Sequence, residues 1–157
     1  MEKSLSREPF TLRYGWLFLA VSALLGLGAA VILAIFPAPV DLPAVVNLTG
    51  HSWGNIVAQS PDAAKLIRFF ISEFWIADAT VYALCLALAV TVYRTGERWA
   101  WVLAAMVVLY GIVFIVTSAA AGGTMWPNWI VHLTLEVLGL ALPYRKFFPK
   151  KAVPSLV

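Results

Sequence analysis

The stretch LIRFFISEFWIADATVYALCLALAVTVY, residues 66–93, decides the fold. It exceeds the roughly 20 predominantly apolar residues that a helix needs to cross a hydrocarbon core of about 30 Å. Yet Glu73 and Asp78 lie inside it. A segment that enters hydrocarbon carrying two carboxylates needs neighbouring helices to receive them. Three further apolar segments supply such neighbours, at about 14–36, 99–120 and 126–142. The predicted fold class is therefore an all-α membrane protein, a four-transmembrane-helix bundle forming one domain over residues 1–157.

The composition agrees. The chain is 62% hydrophobic and 12% charged, with a mean hydropathy of +0.87, whereas soluble domains are about half apolar and a quarter charged. The formal charge of +3 does not point to nucleic acid, because the basic residues are not gathered into a stripe. A lone cysteine, Cys85, excludes an internal disulfide, a CxxC redox pair and a cysteine-rich metal site. No Gly-rich phosphate loop and no GxSxG elbow occurs, so no cofactor, no catalytic residue and no metal ligand is assigned.

The first span, YGWLFLAVSALLGLGAAVILAIF (14–36), is too long for a signal-peptide core and is ended by Pro37 and Pro39. Lys3, Arg7, Arg13, Arg94, Arg98, Arg145, Lys146, Lys150 and Lys151 fall on one side of the four spans, and Lys65 and Arg68 on the other. By the positive-inside rule both termini are cytoplasmic, in a multi-pass protein of a cell inner membrane. Residues 143–157 form a cytoplasmic tail, and residues 37–65 an outer loop. Within that loop Thr49 is expected to cap a short extracytoplasmic helix running toward Gln59. Ser60-Pro61-Asp62 then has the pattern of a helix start. Asn47-Leu48-Thr49 matches a glycosylation sequon, a tripeptide common by chance.

The polar residues within the spans are the candidate site: Glu73, Asp78, Tyr110, His132 and Glu136. Asn128, His132 and Glu136 recur at i, i+4, i+8 and share one helix face. Asp78, Tyr82 and Cys85 form one stripe of the second span, while Glu73, Ala77 and Thr80 form another. Glu73 and Asp78 are about 140° apart around the helix, which argues against a tight dicarboxylate metal site. Both are expected to be buried hydrogen-bonding partners of different neighbouring helices. Gly26 and Gly28, with Ala23, Ala29 and Ala30, give the first span a small-residue face suited to close helix packing.

Two segments together, LTGHSWGNIVAQSPDAAKLI (48–67) and YRTGERWAW (93–101), resemble small bacterial four-helix membrane proteins of uncharacterised function. The resemblance covers the middle third of the chain, implies the same topology and carries no catalytic residue. GERWAW also has a direct physical meaning: Gly96 makes a turn, Arg98 anchors it and the tryptophans sit at the interface.

These features suggest a non-enzymatic accessory or scaffolding subunit, with the lipid bilayer and partner subunits or a second copy as its partners. The alternative is an intramembrane binder, or an enzyme, acting on a lipid or isoprenoid-like ligand in an outward-facing polar chamber.

Overall fold

The structure, a computed structural model, describes residues 10–36, 42–123 and 126–149. Among these there is no strand. Helix α1 (Phe10–Tyr14) passes through Gly15 into α2 (Trp16–Ile35), and α3 (Leu42–Thr49) and α4 (Trp53–Gln59) precede the long α5 (Pro61–Val90). A 3-10 turn (Tyr93–Thr95) leads to α6 (Arg98–Ala120), followed by α7 (Trp126–Ala141) and α8 (Tyr144–Phe147). The expectations attached to Pro37, Pro39, Lys3, Arg7, Lys150 and Lys151 fall outside the described residues.

Three helices, Trp16–Ile35, Pro61–Thr95 and Arg98–Ala120, are long and apolar enough to cross a membrane. Helix α7 has 16 residues, about 24 Å at a rise of 1.5 Å per residue, and falls short of the usual length for a span. Helix α2 lies between α5 and α7, and α7 carries α6 on its other side. Helices α5 and α6 approach less closely and meet through long side chains, with Phe74 stacked on Phe114 at 5.6 Å.

Small residues set the spacing, since membrane helices associate through close packing rather than through release of water. Ala23, Gly26 and Ala30 are buried along one face of α2. A Cβ at Gly26 would collide with the Tyr82 ring. A Cβ at Gly139 would stand 2.7 Å from Leu19 Cγ and 3.2 Å from the Leu19 backbone nitrogen. Gly28 and Ala29 are exposed, so the small-residue face divides into an inward and an outward part.

The core is in two pieces. At the α8 end, Leu19, Ala89, Tyr93, Ala104, Leu140 and Phe147 pack together. At the α3–α4 end the cluster comprises Ala23, Ala30, Trp75, Tyr82, Cys85 and Trp129. Pro143 explains a key bond of the first piece. It has no N–H for the Gly139 carbonyl four residues earlier, and the Tyr93 hydroxyl donates to that carbonyl instead, at 2.7 Å. Trp101 Nε1 donates to the next carbonyl, Leu140, at 3.1 Å. Gly96 makes the α5–α6 turn with φ +89°, and Lys146 lies across it, donating to the Arg94 carbonyl at 2.8 Å.

The opposite end corrects a detail. Thr49 ends α3 rather than capping the next helix, its hydroxyl donating back to the Val45 carbonyl at 2.7 Å. Ser52 caps α4, accepting from the Asn55 backbone N–H at 3.2 Å. Gly50, at φ +70°, follows α3, a helix that was not expected, and the expected short helix begins later, at Trp53. Pro61 and Asp62 open α5 as expected, but the Ser60 side chain makes no capping bond. The Asn47 amide donates to the Gly122 carbonyl at 3.0 Å, tying α3 to the α6–α7 turn.

Candidate functional site

The 100° step of a helix puts the two stripes of α5 on different faces. Asp78, Tyr82 and Cys85 are buried, at 2–3% exposure, while Glu73, Ala77 and Thr80 are exposed. Glu73 is therefore not the buried partner that was expected. Its stripe lies on the side of α5 away from the buried Asp78–Tyr82–Cys85 stripe. Arg68, one turn and a half earlier on α5, places its guanidinium over the Trp53 ring at 5.4 Å.

Four of the five candidate residues come to the bundle interior, in two groups. The Tyr110 hydroxyl donates to Asp78 Oδ1 at 3.0 Å, joining α6 to α5. The second group joins α7 to α2 through Ser22. Its hydroxyl lies 3.2 Å from Glu136 Oε1, 3.3 Å from His132 Nδ1 and 3.4 Å from the His132 carbonyl. One hydroxyl has a single proton and two lone pairs, so Ser22 serves these partners in alternation or by accepting from the imidazole. Ser22 is fully buried and Glu136 is 3% exposed.

Between these groups lies a cavity of about 390 Å³. Helix α5 contributes Trp75, Asp78 and Tyr82 to its wall, α7 contributes Asn128, Trp129 and His132, and α2 contributes Gly26, Ala29 and Leu33. Small residues on α2 leave the space, and the absence of a side chain at Gly26 lets the Tyr82 ring lie against the helix. Leu25 and Val131 also line it and are 53% and 58% exposed, so the cavity opens sideways between α2 and α7. Tyr110 and Glu136 stand behind the wall and hold Asp78 and His132 in place.

One atom is out of balance. Asp78 Oδ2 is buried and has no hydrogen-bond partner among the described residues, although Oδ1 of the same carboxyl is bonded. An unsatisfied buried polar atom costs about 1–3 kcal/mol, and native proteins contain few of them.

Among the described residues no three His, Cys, Asp or Glu side chains converge as a metal would require. Ser22, His132 and Glu136 do not form a nucleophile relay. In such a relay the acid orients the histidine and the histidine takes the serine proton, whereas here the glutamate bonds the serine directly. Ser22 also does not line the cavity.

Comparison of the chain with known protein families, with curated proteins and with solved structures finds no match in any of the three. The site's meaning is therefore carried by its geometry.

Ser22, Tyr82 and Trp129 are the site residues that the candidate set lacked. Ser22 carried a usable signal: it lies about as far from the start of its span as Glu136 lies from the end of its own. Trp129 did not, since tryptophans near span ends are ordinary interface anchors.

Proposed function

We propose that this chain is a four-span membrane protein, with both termini cytoplasmic, that binds a lipid-like amphiphile in the cavity between α2, α5 and α7. The observation that carries this reading is a mostly apolar cavity with Asp78 and His132 in its lining, where Asp78 Oδ2 has no hydrogen-bond partner among the described residues. Binding sites for small molecules are concave, mostly apolar and supplied with a few polar groups. A cavity whose mouth lies between two membrane helices receives its ligand from the bilayer.

Topology supports the reading. Arg13, Arg94, Arg98, Arg145 and Lys146 cluster toward the α8 end, the side that the positive-inside rule assigns to the cytoplasm. Helix α7 packs on both α2 and α6, and a short span is accommodated by local thinning of the bilayer. The cavity then opens in the outer half of the membrane.

A second reading, an accessory subunit, has its own observation. An apolar groove of about 490 Å³ runs between α5 and α6, lined by Val81, Leu84, Leu88, Leu103 and Val107, and a helix of a partner or of a second copy would fill it. Native mass measurement on protein gently extracted from its own membrane separates the two. The binder reading predicts a bundle carrying one additional small mass, absent from an Ala29→Phe variant whose cavity mouth is filled. A stoichiometric polypeptide in place of that mass would overturn it in favour of the subunit.

A further inference from the structure

The lining of the cavity restricts the head of the ligand. Among the described residues no lysine or arginine lines it, so a phosphate head would meet Asp78 without a compensating cation, an arrangement that buried charge does not tolerate. The polar side chains of the lining, Asp78, Tyr82, Asn128 and His132, include both donors and acceptors. Asp78 Oδ2 accepts a hydrogen bond when ionised and donates one when protonated. His132 commits Nδ1 to Ser22, and its Nε2 donates or accepts according to tautomer. A hydroxyl complements both groups in every protonation state, because it carries a donor and two acceptors.

Size points the same way. About 390 Å³ corresponds to roughly thirteen groups the size of a water molecule, at ~30 Å³ each. That holds a head and the first part of a chain, and the sideways mouth beside Leu25 and Val131 lets the rest lie in the bilayer. Resting on the binder reading above, we infer that the ligand is a neutral membrane alcohol whose hydroxyl lies beside Asp78 and His132.

The test is photolabelling in neutral phosphatidylcholine vesicles with a long-chain alcohol that carries a diazirine. Labelled residues are mapped by mass spectrometry, with unlabelled alcohol, alkane and alkyl phosphate of equal chain length as competitors. Labelling of Leu25, Ala29, Trp75 and Val131 is expected, and the alcohol should compete at least tenfold better than either rival. One well-made hydrogen bond gives roughly that ratio. Asp78→Leu should bring alcohol and alkane to parity while leaving helical content and elution unchanged. Equal competition by alkane and alcohol in the unmodified protein, or stronger competition by the phosphate, would overturn the hydroxyl assignment and leave the binder standing. Labelling that no competitor reduces and that Ala29→Phe does not alter would overturn the binder itself.

Discussion

The two ends of the bundle are built on opposite terms. At the α8 end, Tyr93, Trp101, Arg98 and Lys146 each donate to a backbone carbonyl of a neighbouring segment. Two of those carbonyls belong to the last turn of α7, where helix geometry leaves acceptors without partners. The packing there is dense, with Tyr93 and Phe147 rings 4.6 Å apart and Gly139 in contact with Leu19. The α3–α4 end has as many aromatic residues but leaves a cavity among them, and one carboxylate oxygen on its wall has no partner. The first end secures the fold. The second keeps space and an unmet hydrogen bond, which fits a site that a ligand completes.

The sharpest way to break this contrast is to add one methyl group at each end. Gly139→Ala pushes a Cβ against both the side chain and the backbone of Leu19, so α2 and α7 must separate. The loss is expected to reach or exceed the roughly 1–3 kcal/mol typical of overpacking. Gly26→Ala meets first the Tyr82 ring, a side chain beside the cavity into which it can swing. It should lower stability far less and weaken ligand binding instead. Thermal unfolding in detergent micelles checks the pair, and equal losses would erase the distinction between the ends.

Tyr93→Phe comes next. It leaves the Gly139 carbonyl buried without a donor, because Pro143 offers none, and should destabilise by about 1–2 kcal/mol with ligand retention unchanged. Denaturant or thermal titration reads the first effect and native mass the second. Smallest is Glu73→Gln. Because Glu73 is exposed on the outward stripe of α5, stability should change by less than about 0.5 kcal/mol and the bound mass should persist. Loss of the bound mass would return Glu73 to the site.

Much of this was legible in the chain and some was not, for physical reasons. Apolar length placed α2, α5 and α6, because a span needs about 20 predominantly apolar residues. The 140° separation of Glu73 and Asp78 was computable from spacing. Which of them faces inward was not, since that depends on where α2 and α6 lie. The cap of α4 was misplaced from Ser52 to Thr49 because both are good capping residues, and only the left-handed Gly50 decides between them. The cavity itself had no sequence signature. It arises where small residues of α2 face large residues of α5 and α7, a relation between helices that no single segment displays. Ser22 was passed over because one serine in an apolar run is unremarkable until Glu136 and His132 are seen beside it.

The central claim is that Asp78 is kept for a ligand and not for the fold. If so, replacing it together with its partner, by Asp78→Leu with Tyr110→Phe, removes an unsatisfied buried oxygen and strands no hydroxyl. Such paired apolar replacements are close to neutral or stabilising. The decisive measurement is the thermal midpoint of this double variant against the parent protein, both stripped of lipid in the same detergent. The account predicts a midpoint equal to or above that of the parent. A fall of more than about 4 °C, roughly 1 kcal/mol or more for a chain of this size, would contradict it and make Asp78 and Tyr110 part of what holds the helices together.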